Sequence, residues 1–198
     1  MVAFLARTGR ESQRYGITGQ RLVVGCIPYR LKEEKQEDDG DKPCSSSCME
    51  EMMEVLLISS QKGGDEIMFP KGGWEKDESI EDAAHREAWE EAGVMGNVQL
   101  KEFLGKWSFK SKRYGTMYDG FMFPLHVTEE LDPWPEMNVR RRRWVTVAEA
   151  RESCKHFWMK EALEKLVEHL SNTNEGELSM KESLEKLLSS LSNSADKP

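Results

Sequence analysis

No stretch of apolar residues in this 198-residue chain approaches the roughly 18 to 20 needed to cross a bilayer, so no membrane partner is expected. The opening MVAFLARTGRESQRYG has a short apolar start and no h-region, which argues against a secretory signal. Cysteine is scarce. Cys26, Cys44, Cys48 and Cys154 read as free thiols of an intracellular chain, not as a disulfide framework. Cys44 and Cys48 have a spacing that could serve zinc, but no second pair completes a site. The four histidines, His85, His126, His156 and His169, are scattered, and no Ser-His-Asp or Cys-His grouping offers a covalent nucleophile. Internal repeats are absent. So is any long basic track, and a formal charge of −8 repels a phosphate backbone, so no nucleic-acid partner is expected. None of this excludes a small, highly phosphorylated ligand in a locally basic pocket.

Arg7, Arg10 and Arg14 face a single acid, Glu11, giving the N-terminus the charge balance of a short mitochondrial presequence. The expected compartment is cytoplasm or nucleus, with the mitochondrion second. No feature of the sequence sets an oligomeric state.

Leu22–Leu31 reads as a buried strand, Met52–Ser60 as a second and Glu66–Pro70 as a short third. Between the first two, 32–51 is acidic, holds Gly, Pro and a Ser run, and has little to bury; it reads as a flexible insertion loop. Ser79–Ala92 has helical spacing, with Ser79 as N-cap, Glu81 and Asp82 in the first turn and Gly93 at the C-cap position. Gln99–Lys110 and Thr116–Val127 read as further strands, Arg143–Val147 as another, followed by helices over Val147–Cys154 and Phe157–Leu170. Strands interleaved with helices in this order predict an α/β sandwich with helices on both faces of a mixed sheet. The domain is expected to span 1–170. Residues 171–198 read as a polar, disordered tail in which Leu178–Leu191 is at most a marginal amphipathic helix.

On a helical wheel at roughly 100° per residue, Ile80, Ala83, Ala84 and Ala88 form the buried stripe. Glu87 and Glu91 fall within about 20° of Ile80, and Glu90 lies beside Ala83. Glu81, Asp82, His85 and Trp89 take the other side, and an outward Trp89 suggests cover from a loop. A glutamate-rich helix is normally a solvated face, but here three carboxylates at i, i+3 and i+4 lie on the side that should meet the sheet. Like charges at that spacing repel by roughly 0.2 to 0.5 kcal/mol per pair even when exposed, and by more when buried. A divalent cation removes the conflict, because hard oxygen ligands on adjacent turns suit Mg²⁺.

From Gly72 the chain reads GGWEKDESIEDAAHREAWEEAGV. Gly72, Glu78, Arg86, Glu87, Glu90, Glu91, Gly93 and Val94 resemble the Nudix box, with one departure: Ala88 stands where a bulky aliphatic is expected. Eight fixed positions over 23 residues make a specific signal. Phe69 to Trp74, Arg7 to Arg10 followed by Gln13, Arg14 and Tyr15, Trp134-Pro135-Glu136 and Arg143-Trp144 extend the likeness to the plant Nudix hydrolases, which group with diphosphoinositol and diadenosine polyphosphate phosphohydrolases. The resemblance implies a Nudix fold, an α/β/α sandwich, and hydrolysis of phosphoanhydride bonds with Mg²⁺, for which Mn²⁺ can substitute. It implies Glu87 and Glu91 as metal ligands, Glu90 as base and Arg86 as the residue that orients the glutamates. Gly72 and Gly93 would permit the turns bracketing the helix, and Glu78 would be structural. The substrate is expected to be a densely phosphorylated small molecule. Its contacts are expected from Arg14, Arg21, Ser59, Ser60, Lys62, Lys71, Gly72, Gly73 and Lys112, with Lys110 and Arg113 as further cations. The alternatives are a pyrophosphatase of nucleotide sugars, dinucleotides or oxidised nucleotides, with Trp74, Trp107 or Tyr118 clamping the base, and a non-catalytic module that binds a phosphorylated ligand. The run Arg140–Arg143 reads as edge cations or carboxylate partners.

Overall fold

The computed structural model describes residues 5–32, 50–61, 66–98, 100–111 and 115–173. Most of the insertion loop, the tail beyond 173, Cys44, Cys48, Lys62, Lys112 and Arg113 lie outside the described residues. Among the described residues no helix is long and apolar enough to cross a membrane.

Eight strands form one mixed sheet: β1 (Arg21–Leu31), β2 (Met53–Ser59), β3 (Ile67–Met68), β4 (Lys71–Gly73), β5 (Val94–Val98), β6 (Gly105–Lys110), β7 (Met117–Glu130) and β8 (Arg142–Thr146). The main path runs β3-β2-β1-β7-β5, with β4 on β1, β6 on β7 and β8 on β2. The long central pair β1 and β7 is parallel, and the other pairings are antiparallel.

Side chains on a strand point alternately to the two faces, and β1 and β2 are apolar at nearly every position, so both faces carry a core. Val24, Cys26, Leu56, Ile58, Phe123 and Leu125 pack on one face, against Ala83, Ala84, Ala88 and Ala92 of the glutamate helix. Ile27, Tyr29, Val55, Leu57 and Met122 pack on the other, against Val147, Ala150, Trp158, Met159, Leu163 and Leu166. Those last residues belong to α2 (Val147–Ser153) and α3 (157–173). Each large aliphatic buried this way contributes roughly 1.5 to 3 kcal/mol. The expected α/β/α sandwich is the observed one. Cys26 and Cys154 are buried free thiols, as expected for these two.

The glutamate helix starts where the sequence places it. Ser79 is its N-cap, accepting from the Asp82 N–H while the Asp82 side chain reaches back to Ser79. α1 (Ile80–Glu87) then passes into a wider π turn, Ala88–Ala92, which ends at Gly93 with φ 63°, a left-handed value that favours glycine. The wheel does not show that π turn. Three strands also differ from the expectation. The one expected over Gln99–Lys110 starts only at Gly105, after a 3-10 turn at Leu100–Glu102. Lys71–Gly73 is a strand, and Val94–Val98 pairs with β7 through a bulge at Met95 and Gly96. Gly96 is required there, since a Cβ would lie 2.0 Å from the His126 carbonyl oxygen.

Candidate active site

All three glutamates of the box are buried: Glu87 is 5% exposed, Glu90 3% and Glu91 6%. Each is met by cationic or N–H donors. The Arg86 guanidinium is the hub. It makes a bidentate pair with Glu78 (2.8 and 2.7 Å), donates to the Gly73 carbonyl at 2.9 Å, and sends Nη1 to Glu87 at 2.6 Å and Glu90 at 3.1 Å. Glu78 also accepts from the Glu75 N–H at 2.9 Å, which holds the loop before the helix. Glu91 accepts from the Lys71 N–H at 2.8 Å and from the Arg140 guanidinium. Arg140 in turn donates to Glu136 at 2.5 Å and to the Ser59 carbonyl at 2.9 Å.

Burial is the largest influence on these acids. It holds the Glu87 carboxyl up at about 8, with Glu91 adding to the effect and Arg86 opposing it. Glu91 is raised by burial against the pull of Arg140 and Lys71, and Glu90 by burial against the Arg7 N–H and Arg86. Burial lowers the Lys71 ammonium in spite of Glu91. For Arg86, burial works against the charge, but the carboxylates of Glu78 and Glu87 outweigh it and hold the group above its ordinary value.

Glutamate titrates near 4.5 without such an environment, whereas Glu87 keeps its proton to about 8. Between those values the folded chain binds a proton that the unfolded chain has lost, so rising pH favours unfolding. Without added metal, thermal stability is expected to fall as pH rises from about 4.5 to about 8, then level off. Carboxylates held low, such as Asp119, act below that window and in the opposite direction. Thermal unfolding in EDTA checks this, with Glu87→Gln losing part of the slope. Superimposable wild-type and variant curves would refute the assignment.

Beside the glutamates lies a cleft of about 600 Å³, lined among others by Arg21, Ser60, Lys71, Gly72, Lys110, Tyr118, Arg140 and Trp158. A larger cleft of about 910 Å³ runs over β2 and the Arg140–Arg143 segment. Arg140 lines both clefts, no box glutamate lines either, and only the smaller one reaches Lys71 and Gly72, the residues of β4 that touch Glu91 and Glu87.

A NUDIX domain profile matches residues 47–169. The chain belongs to the Nudix hydrolase family. As a Nudix hydrolase it is a pyrophosphohydrolase, and it resembles its relatives over most of its length. It is 56% identical to "Nudix hydrolase 18, mitochondrial" of Arabidopsis thaliana over 171 residues, 86% of this chain and 89% of that one. It is 37% identical to diphosphoinositol polyphosphate phosphohydrolase 2 of Mus musculus over 168 residues, 83% and 80% of the two chains. Among solved structures, an Ap4A hydrolase binary complex of C. elegans superposes with a TM-score of 0.56 at 17% identity, covering 77% of this chain and 98% of that one. The last likeness concerns the fold. The mitochondrial location in the Arabidopsis name matches the compartment placed second, after cytoplasm or nucleus, in the reading of the sequence.

Within this Nudix hydrolase the structure brings Arg86, Glu87, Glu90 and Glu91 together with Lys71 and Gly72, and it lines the adjoining cleft with Arg21 and Ser60. Gly73 sits beside the cleft in β4, its carbonyl taken by Arg86. Two expected substrate contacts go elsewhere. Arg14 stacks 4.7 Å from the Trp74 centroid and donates to the carbonyl oxygens of Glu75, Lys76 and Glu78, so it braces the loop before the helix. The Ser59 hydroxyl accepts from the Arg141 N–H. Gly72 does not make a turn, as it lies in β4 without a positive φ. Its lack of a side chain instead lets the Glu87 carboxylate approach, since a Cβ there would lie 2.2 Å from both carboxylate oxygens.

The arginine run divides. Arg140 is a carboxylate partner. Arg142 donates to the carbonyls of Ala92 and Gly93 at 2.8 and 2.9 Å, capping the helix, and stacks on Trp134. Arg141 and Arg143 are exposed. Sequence reasoning gave no role to His156, which lines the cleft between Glu66 and Trp158. It likewise gave none to Glu136, whose N–H donates to the Glu90 carbonyl. Only the motif Trp134-Pro135-Glu136 hinted at the latter. Among the described residues, no three acidic, His or Cys side chains are arranged as a finished metal cage.

Proposed function

We propose that this Nudix hydrolase holds a divalent cation, Mg²⁺ with Mn²⁺ as a substitute, on Glu87 and Glu91, and uses Glu90 as the base that activates water on densely phosphorylated small molecules. The donor set fits such an ion. Burial holds both carboxyls above the ordinary range and Glu91 raises Glu87 further, a conflict that hard-cation binding relieves. Glycine at 72 leaves the Glu87 carboxylate in close contact with β4. When bound, such a cation supplies neutralisation of phosphate charge and a water of lowered pKa.

The remaining work falls to the chain. Glu90 takes a proton from the attacking water; its raised pKa keeps it a better base than an ordinary glutamate while Arg86 fixes its direction. Arg86 orients Glu87 and Glu90 together, acting through them. Arg21, Lys71 and Lys110 bind phosphate oxygens along the cleft, and Ser60 donates from its rim. Phosphoryl transfer needs little covalent work from protein, so positioning and charge supply the acceleration.

The observation that carries the substrate reading is the lining of the cleft. Four cations, Arg21, Lys71, Lys110 and Arg140, reach it. Of Trp74, Trp107 and Tyr118, the aromatics expected to clamp a base, only Tyr118 lines it, with Arg21 5.2 Å from its ring centroid. The other two aromatic rings of the lining, Phe109 and Trp158, are stacked on each other. Trp74 has Arg14 over its ring and Trp107 has Lys165. Similarity to the mouse diphosphoinositol polyphosphate phosphohydrolase points the same way. The reading therefore favours diphosphoinositol polyphosphates and long diadenosine polyphosphates over nucleotide sugars, dinucleotides or oxidised nucleotides. A purely binding module has no use for three clustered acids.

The test is phosphate release with Mg²⁺ from a panel: a diphosphoinositol pentakisphosphate, a long diadenosine polyphosphate, ADP-ribose, NADH and an oxidised deoxynucleoside triphosphate. Preference for the first two is expected. Preference for substrates with a single diphosphate bridge would overturn the substrate class, and no release from any would support the binding module.

A further inference from the structure

The segment before β1 was expected to matter as a possible address and, through Arg14, as a substrate contact. The structure fastens it across the box instead. Gln13, 6% exposed, forms a β-bridge with Glu75 and accepts from Arg21 Nε at 2.6 Å. The Arg14 N–H donates to the Trp74 carbonyl at 2.7 Å, and the Lys76 N–H to the Ser12 carbonyl at 2.8 Å. Further toward the N-terminus, the Arg7 guanidinium pairs with Glu75 at 2.8 Å and Asp77 at 3.0 Å. These contacts hold one backbone group against a box glutamate: the Arg7 N–H donates to Glu90 Oε1 at 2.8 Å. The second oxygen, Oε2, accepts from Arg86 at 3.1 Å. The two donors therefore fix the carboxylate from both sides, one from the helix itself and one from a strap 83 residues away in sequence.

We infer that the backbone N–H of Arg7 is a positioning group for Glu90, which makes the strap at residues 5–15 a working part of the active site. The inference rests on the reading of Glu90 as base. Two donors on one carboxylate restrict its rotation, and a base must be aimed as well as ionised. Losing an outer hydrogen bond that orients a site carboxylate typically costs 10- to 100-fold. The guanidinium of Arg7 fastens the strap, while the N–H does the aiming, and the two can be separated.

Arg7→Ala removes the guanidinium and keeps the N–H; Arg7→Pro removes both. With the preferred substrate of the panel and saturating Mg²⁺, Arg7→Pro is expected to have kcat at least about 10-fold below Arg7→Ala, with KM within about 3-fold and a similar thermal midpoint. A chain lacking residues 1–7, which keeps the anchors at Ser12, Gln13 and Arg14, should show the same loss without imposing proline geometry. In a Glu90→Gln background, Arg7→Pro should cost nothing more, because the group it positions has gone. Equal kcat for Arg7→Pro and Arg7→Ala would overturn the inference. So would a truncated chain as active as Arg7→Ala, or a full additional loss in the Glu90→Gln background, which is what a purely structural strap gives. A Glu90→Gln enzyme of near-normal turnover would instead remove the base reading on which the inference rests.

Discussion

Glu90→Gln is expected to lower kcat by about 10²-fold or more at saturating Mg²⁺, with KM little changed. The substitution keeps volume and shape and removes the ability to take a proton. It also changes the hydrogen bonding. Both oxygens of Glu90 face N–H donors, Arg7 on one side and Arg86 on the other. A glutamine can satisfy only one of them with its carbonyl, and its amide must turn toward the other. A buried donor left without an acceptor costs roughly 1 to 3 kcal/mol, so the thermal midpoint should fall by several degrees while the chain remains folded. Steady-state kinetics together with a thermal melt separate the two effects. Turnover within a few-fold of wild type would take Glu90 out of the chemistry and send the search for a base to Glu136, whose carboxylate joins the network through Arg140.

Gly72→Ala should be nearly as damaging, by a different route. The added methyl group would lie 2.2 Å from both oxygens of Glu87 and 2.3 Å from its Cδ. Those atoms are the far end of a side chain, so the fold can survive by swinging Glu87 aside, but the carboxylate then leaves its place. A misplacement on the order of 1 Å can cost about 10²-fold in rate. Divalent-ion affinity should weaken alongside it, by an expected 10- to 100-fold. Isothermal titration with Mn²⁺ tests the affinity and steady-state kinetics the rate. Wild-type affinity in a folded Gly72→Ala variant would show that Glu87 does not hold the ion where its contact with β4 leaves it.

Much of this site could be read from the sequence, because it is written in short-range spacing. Arg86, Glu87, Glu90 and Glu91 lie within two turns of one helix, so a wheel is enough to set three acids against the sheet. The capping box at Ser79 and the left-handed Gly93 are local as well. Features that depend on long-range approach stayed hidden. Gly72 looked like a turn residue, since a sequence does not show that a carboxylate 15 positions later will press on its Cα. Arg14 looked like a phosphate contact because it is cationic; its partners are backbone carbonyls, which leave no trace in composition. Strand β5 is five residues with a glycine at its bulge, too short and irregular for period-2 alternation to register. The widening of the helix at Ala88 likewise carries no signature in residue type.

The docking of the N-terminal strap also bears on how the chain could be delivered within a cell. An import receptor that reads a basic N-terminus needs its arginines exposed and its backbone free to coil. In the folded enzyme Arg7 is clamped to Glu75 and Asp77, Arg10 donates to the Tyr118 hydroxyl and Arg14 is spent on backbone carbonyls. Were the N-terminus read by such a receptor, import and folding would compete for the same side chains, and the share of molecules sent to an organelle would be set by whichever is faster after synthesis. Proteolytic maturation beyond residue 7 would carry off the donor that faces Glu90.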